Sequence, residues 1–394
     1  MNQAQLTATR ALSFMIGSIA IIGCTGTSDT PPNLTNRAYI VSRGSDDLTV
    51  IDLDRLAIIG VVHTAGVQNH MVELNADFTK LYVDSEATDE SIVVDATRLA
   101  VVNRIPTGAS PTHVSLSRDG RVLAVMNEYG DSVSFIDPAT DLEIKRLPGF
   151  YTPHFMRFSP DGRYGYVANI GAFHLTRVDL ATLEIDQHIA LDGFSGPPDA
   201  TLAPNETGFA DAQIDPDGVL YAAHNAAASV LIYDTVTGHK LADRAVGPRP
   251  WIAYAEHPFA ELPRRQLVPA FGDQTVSLIR GAAPVASLPA GDLQSYGVNY
   301  SPLVPDKAFV MNRVHENITV VDTALGTVTG TIMTGGTTET ASTTADGKWI
   351  VATVSSTDQV IVIDAVTNQI VKTFDHVGSY PWSVTIPLGQ NYCH

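Results

Sequence analysis

The sequence has few basic residues, few cysteines and no apolar run long enough to span a bilayer. Lys and Arg number 24 against 42 Asp and Glu, which gives a formal net charge of −18 at pH 7. So little positive charge excludes a nucleic-acid partner, and it excludes adhesion to anionic lipid by charge alone. With 44% apolar and 17% charged residues, the chain is nevertheless an ordinary globular protein rather than a disordered one.

Several catalytic motifs are also missing. The sequence contains no Cys-x-x-Cys-His, so it cannot carry a covalently attached c-type haem. It contains no Gly-x-Ser-x-Gly elbow, no phosphate-binding loop and no His-Glu-x-x-His, so the enzyme classes that depend on these motifs find no support.

The first segment of the chain predicts export. Residues 1–23 contain one charge, Arg10, followed by a short apolar run that is typical of a signal peptide. The run ends in Ile-Ile-Gly-Cys24, which resembles the lipobox of bacterial lipoproteins. The resemblance implies that Cys24 is lipidated, and Thr25 after it goes with sorting to the periplasmic side of the outer membrane. Plain secretion and a cell-surface location are the alternatives. Residues 24–37 are predicted to be a flexible tether, and 38–394 the folded domain.

The rest of the chain repeats one unit, best seen from Leu147 to Ile189. Its predicted strands are Phe155 to Phe158, Tyr164 to Asn169, Leu175 to Asp179 and Ile185 to Ile189, separated by turns such as Ser-Pro-Asp-Gly. The third strand of each copy ends in a marker, usually Asp: Asp52, Asp95, Asp137, Asp179, Asp234, Arg280, Asp322 and Asp364. The intervals between these positions are 43, 42, 42, 55, 46, 42 and 42 residues.

Eight markers at this spacing predict an all-β fold, an eight-bladed β-propeller of four-stranded antiparallel meanders. The first copy lacks its innermost strand, and the segment 380–386 is predicted to supply it and close the ring. Seven blades are the alternative if 248–280 is not a blade. The longest interval contains an insertion, 193–208.

The strings SPDGRYGYVAN, SRDGRVLAVMN and ADGKWIVATV resemble YVTN-type propeller repeats. These are related to the haem-binding propeller of the cytochrome-type nitrite reductases. The resemblance implies the fold over residues 38–386, but it does not choose among binding proteins, lactonases and haem enzymes.

Propeller geometry predicts which residues begin the innermost strands, on the face that we call the top. These are His70, Thr112, His154, Ala210, Trp251, Tyr296, Glu339 and Trp382, with His113 one residue further along. His174, His224 and His315 are predicted on the same face. We expect His70, His113 and His154 to converge at the channel mouth as a candidate metal site. Strand alternation turns His113 away unless a β-bulge re-aims it. Single histidines can also simply bond a neighbouring carbonyl, and Trp251 and Trp382 can simply pack.

Resemblance to the haem propeller adds a cofactor hypothesis. In that family a histidine at a comparable place binds the iron, which implies such a role for His70, with His154 as a further candidate. Arg43, Arg249 and Arg313 fall at top-face positions that could meet haem carboxylates. The electron-carrying domain of those enzymes is absent, so nitrite reduction is not expected.

The tail ends in Cys393-His394. With Cys24 lipidated, Cys393 is the only thiol, and the pair together with the terminal carboxylate could bind copper. A tail without a role is the alternative.

The sequence therefore predicts an exported, lipid-anchored, monomeric propeller that binds a ligand or a periplasmic protein partner on its top face without catalysis. A redox or tetrapyrrole protein using the channel histidines, with haem or copper, is the first alternative. A lactonase-like hydrolase using Asp211 or Glu339 is the second.

Overall fold

The computed structural model describes residues 33–193, 208–255 and 265–391. Within them the chain forms eight consecutive antiparallel sheets, or blades, and one 3₁₀ turn, Ser355–Thr357. The strands are β1 Arg37–Ser42, β2 Asp47–Asp52, β3 Ala57–His63, β4 Asn69–Leu74, β5 Lys80–Ser85, β6 Glu90–Asp95, β7 Ala100–Pro106, β8 Pro111–Leu116, β9 Leu123–Asn127, β10 Ser132–Asp137, β11 Leu142–Pro148, β12 Pro153–Phe158, β13 Tyr164–Asn169, β14 His174–Asp179, β15 Glu184–Ala190, β16 Phe209–Ile214, β17 Val219–His224, β18 Ser229–Asp234, β19 His239–Ala245, β20 Tyr254–Ala255, β21 Arg265–Ala270, β22 Thr275–Arg280, β23 Ala286–Leu288, β24 Gly297–Tyr300, β25 Lys307–Asn312, β26 Asn317–Asp322, β27 Thr327–Met333, β28 Thr338–Thr343, β29 Trp349–Val354, β30 Gln359–Asp364, β31 Gln369–Asp375, β32 Pro381–Thr385 and β33 Gln390–Asn391.

The eight-bladed prediction is confirmed. Each of the eight markers is the last residue of its blade's third strand. The recurring aspartate has a local reason: its carboxylate accepts backbone N–H bonds from the turn that follows, as Asp95 does from Thr97 and Arg98, both at 2.8 Å. Asp is favoured where a short side chain must satisfy a turn in this way.

The predicted ring closure is also confirmed. Strand β32, from the end of the chain, pairs antiparallel with β1, so the first blade has the order β3-β2-β1-β32. Ser342 in the last blade donates its hydroxyl to the Val384 carbonyl at 2.7 Å, which joins the closing strand to its other neighbour. The closing strand therefore covers the inner edge of β1 and completes the first blade.

The blade at 248–280 is real, and the described part of its inner strand is β20. One feature departs from a regular repeat. Strand β33 joins the last blade by pairing with β28, so that sheet has five strands. Most of the predicted insertion, 194–207, lies outside the described residues.

The blades are held together by apolar layers between neighbours. In one such layer Tyr39 and Val50 of the first blade pack with Val72 and Val83 of the second, all nearly fully buried. Burying side chains of this kind contributes about 1.5–3 kcal/mol each. The outermost strands alternate exposed and half-buried residues, as an edge facing solvent should. None of the described residues belongs to a helix of the length and hydropathy needed to cross a membrane.

Candidate functional site

The top ends of the inner strands bring three histidines together. His70 lies on β4, His113 on β8 and His154 on β12, in three consecutive blades. The register between the first and second strands shifts near each histidine: between Asn69 and Val72, between Pro111 and His113, and between Pro153 and Phe155. This irregularity is the bulge that the alternation argument required to re-aim His113.

The three imidazoles form a contiguous row. The ring centroids of His70 and His113 are 5.0 Å apart, and those of His113 and His154 are 4.0 Å apart. The Nδ1 of His113 lies 2.9 Å from the Thr112 hydroxyl, which fixes the rotation of the central ring. The three histidine side chains therefore lie next to one another, as the sequence predicted.

Aromatic rings and one guanidinium extend the row into a closed circle. His70 contacts Trp382 at 5.3 Å, and His154 contacts Trp251 at 6.0 Å. Trp251 contacts Tyr296 at 5.5 Å, and the guanidinium of Arg313 lies 4.6 Å from the Tyr296 ring and 5.6 Å from the Trp382 ring. We call this circle the mouth ring; its members are His70, His113, His154, Trp251, Tyr296, Arg313 and Trp382.

Charged side chains at the mouth ring are mostly paired. Arg43 lies over Trp382 and forms an ion pair with Glu86 at 2.6 Å. Arg313 forms an ion pair with Glu339, whose side chain is fully buried. Arg249 is exposed, and its positive charge opposes the rise in the pKa of Tyr296 that burial causes. Arg249 forms no ion pair within the part of the chain that the structure describes.

Burial keeps His70 and His154 neutral at pH 7. Desolvation, and next the Arg43 charge, hold the pKa of His70 well below its ordinary value, and a hydrogen bond with the Thr112 backbone opposes this shift. Desolvation lowers the pKa of His154 to about 4, against a hydrogen bond with the Ala210 backbone. Neutral imidazole is the form that coordinates a metal.

The histidines line the wall of the channel side by side and do not point their nitrogens at one common position. Among the described residues, the only three ligand atoms of His, Cys, Asp or Glu that lie within 4.8 Å of one another belong to Asp46, Asp47 and His63, on the outer part of the first blade. A role for His70, His113 and His154 in binding metal stays a prediction.

The other histidines predicted on this face lie at this end of their blades but outside the mouth ring. His174 packs against Tyr151 and His188, with ring centroids 5.9 and 4.2 Å away. His224 packs against Phe209 at 4.7 Å. His315 donates its backbone N–H to Asp292 at 2.9 Å. Cys24, Cys393 and His394 lie outside the described residues, so lipidation and a tail metal site stay predictions.

Sequence reasoning missed two acidic residues of this face. Glu86 pairs with Arg43, and Glu128 is buried enough that desolvation raises its pKa. A signal was present: both directly follow a second strand, the position that Arg43 and Arg313 occupy in their blades.

Known proteins share this architecture. The family model of YNCE-like β-propellers matches residues 63–192. The chain is a β-propeller similar to the YNCE-like propellers. The fold is shared with dihydro-heme d1 dehydrogenase NirN, solved in complex with DHE, which matches with a TM-score of 0.70 at 17% identity, over 90% of this chain and 76% of that one.

Two further solved structures show the same fold. Apo AztD from Citrobacter koseri has a TM-score of 0.62 at 12% identity, over 90% of this chain and 98% of AztD. Hydrazine synthase from Kuenenia stuttgartiensis has a TM-score of 0.56 at 17% identity, over 90% of this chain and 100% of that one. No curated protein sequence matches the chain.

Proposed function

We propose that this protein is a non-catalytic binding protein whose mouth ring holds a flat, aromatic, acidic ligand at the top of the channel. The observation that carries the proposal is the closed circle itself. Three histidines, two tryptophans, one tyrosine and one guanidinium contact each other in sequence around the channel. Aromatic rings and guanidinium groups offer stacking surfaces to a flat ligand.

Charge at the same face favours an acidic ligand. The guanidinium groups of Arg43 and Arg313 form ion pairs with Glu86 and Glu339, respectively. Arg249 is the cation left without an ion pair in the described part of this face, and it is exposed. A guanidinium in this state is suited to bidentate pairing with a ligand carboxylate.

Tetrapyrroles are the ligand class that combines a wide flat ring system with carboxylates. The fold similarity to NirN, solved in complex with DHE, is consistent with this class. The residues fit it: His154 is 5% exposed, and its Nδ1 has no hydrogen-bond partner among the described residues. His154 or His70 would bind the iron of an iron tetrapyrrole, and Arg249, Arg43 and Arg313 would meet the carboxylates. An iron bound there would supply one-electron chemistry.

Hydrolysis is less well supported by the carboxylates present. Asp211 is fully buried and bound to Arg157, with Nη2 and Oδ2 3.1 Å apart. Glu339 is bound to Arg313 and accepts the Ser355 hydroxyl at 2.6 Å. Neither is poised to activate a water molecule as a lactonase-like reaction would need.

The test is a titration of the purified full-length protein with haemin, followed by absorption. We expect a saturable shift of the Soret band at one equivalent. His154→Phe should weaken binding by about tenfold or more and change the spectrum, whereas His188→Phe, which alters a histidine outside the mouth ring, should not. Elemental analysis of freshly isolated protein reports any iron or copper it carries. Absence of saturable haemin binding would contradict the proposal of a tetrapyrrole ligand. A metal-free, colourless isolate would favour a protein partner as the molecule that binds the top face.

We also propose that the propeller is attached to the periplasmic face of the outer membrane through Cys24. Support comes from the lipobox-like Ile-Ile-Gly-Cys and the apolar run before it. Radiolabelled palmitate should enter the wild-type protein and not Cys24→Ser, and only the wild type should fractionate with outer membranes. Equal fractionation of both proteins would contradict the anchor. With the propeller anchored through Cys24, a periplasmic protein partner would bind to its top face.

A further inference from the structure

A second compartment lies in the channel beyond the mouth ring. The strands that carry the histidines continue past them and line a cavity of about 230 Å³ with residues such as Glu73 on β4, Ser115 on β8 and Arg157 on β12. Thr385 and Asn391, from the end of the described chain, line it as well. None of the mouth-ring residues lines this cavity in the described structure, so it is a separate space.

A fixed guanidinium lies in the wall of the cavity. Arg157 donates from Nε to the Ala212 carbonyl at 2.8 Å and from Nη2 to Asp211 at 3.1 Å. Its guanidinium also lies 3.8 Å from the centre of the Phe155 ring. Within the described residues Nη1 makes no hydrogen bond. The Ala212 carbonyl, the fully buried Asp211 and the Phe155 ring each contact the guanidinium and hold it in place. Arg157 is therefore already positioned for an incoming anion.

Two buried polar groups of the cavity wall lack partners. Thr385 is 2% exposed, and its hydroxyl has no hydrogen-bond partner in the described structure. The same holds for the side-chain nitrogen of Gln213, on β16. Buried polar groups are nearly always bonded, so such a pair on one cavity wall indicates a missing partner. Both groups can donate a hydrogen bond.

Glu73 is a further polar residue of the cavity wall. Burial raises its pKa to about 7, and the Arg157 charge works against that rise. The charged groups that face the cavity are Arg157 from β12, with Asp211 of β16 bound to it, and Arg118 after β8. Below about pH 7 Glu73 is therefore neutral and can also donate. The apolar part of the wall includes Met71, Phe155 and Met156.

We propose that this cavity binds a small organic monocarboxylate with a flat apolar body. Arg157, Thr385 and Gln213 would donate to the carboxylate, and the apolar side chains would cover the body. Size agrees with this class, because an apolar protein cavity of about 150 Å³ holds benzene and this one is larger.

The test uses benzoate as the probe in calorimetric titrations of the full-length protein. We expect saturable binding in the micromolar to millimolar range, with benzyl alcohol, the uncharged analogue, binding at least about tenfold more weakly. Thr385→Val keeps the shape and removes the hydroxyl, and should weaken benzoate binding by about fivefold. Thr373→Val, on the exposed face of the outer strand β31, is the matched control.

The pH dependence supplies a second readout. Ionised Glu73 repels a carboxylate, so benzoate binding should weaken by up to about tenfold per pH unit above about 7, and Glu73→Gln should remove this dependence. Equal affinity for benzoate and benzyl alcohol, no effect of Thr385→Val, or no saturable binding would each overturn the proposal. Because the mouth ring is not part of this cavity, loss of haemin binding and loss of benzoate binding are separate results.

Discussion

The imidazole rings of His113 and His154 lie with their centroids 4.0 Å apart at an angle of 48°, although the two residues occupy different positions in their strands. His154 is the second residue of β12, whereas His113 is the third residue of β8. A regular strand would turn one of them away from the channel. The register shift at the start of each strand removes this conflict and makes the row of histidines possible.

Acid should destabilise the protein through its buried histidines. His154, His174 and His224 each have a pKa lowered to about 4, chiefly by desolvation. Each therefore contributes stability that is present above the unfolded-state pKa of about 6.5 and is lost as pH falls toward about 4. Nearly fully buried His154 alone should account for up to roughly 3 kcal/mol of this loss.

Urea unfolding at pH 7.5 and 4.5 measures this effect. The difference in unfolding free energy between the two pH values should shrink by roughly 2–3 kcal/mol in His154→Phe. His239→Phe, which changes an exposed histidine, is the control for an added aromatic ring. An unchanged difference in His154→Phe would mean that this imidazole is not kept neutral by burial.

Breaking the Arg313–Glu339 pair should be costly. Arg313→Met leaves the Glu339 carboxylate fully buried without its partner and removes the cation from between Tyr296 and Trp382. The expected loss is about 3–5 kcal/mol of unfolding free energy. The double variant with Glu339→Gln should recover part of it, because no uncompensated charge remains.

Denaturant unfolding of the two single variants and the double variant gives the coupling between these residues. Additive losses would show that Arg313 and Glu339 act independently, against the geometry described above.

Removal of the closing strand should abolish the folded monomer. A chain that ends before Pro381 lacks β32, so β1 loses its inner neighbour and exposes an unpaired inner edge. We expect aggregation, or a loss that exceeds the typical 5–15 kcal/mol stability of a domain. Deletion of residues 392–394 is the control, and thermal unfolding with light scattering is the measurement. A stable monomer without β32 would show that the ring does not need this closure.

Much of the fold could be predicted because its signals are local. The aspartate that ends seven of the eight third strands accepts backbone hydrogen bonds from the turn after it, so it recurs even where the rest of the blade has changed. The predicted strand from Tyr164 to Asn169 has the bounds observed for β13, and the other three strands of that blade start one or two residues earlier than predicted.

The rest depends on packing between blades, which no single repeat encodes. The mouth ring closes only because Arg313, after a second strand, reaches between Tyr296 and Trp382, whose blades are separated by the blade of β28 to β31. The pairing of β33 with β28, and the cavity that Asn391 helps to line, come from a segment with no repeat signature. The bulges that orient His113 likewise leave no pattern in the residue types.

The most direct test of ligand binding at the mouth ring is a tryptophan-fluorescence titration with metal-free protoporphyrin. Trp251 and Trp382 belong to the mouth ring. Trp349, the first residue of β29, lies at the end of the last blade that is opposite to the mouth ring. We predict saturable quenching at one equivalent that is weakened by about tenfold or more in Trp251→Leu and unchanged in Trp349→Leu. Quenching that fails to saturate, or that survives Trp251→Leu at the same affinity, would contradict a binding site at the mouth ring.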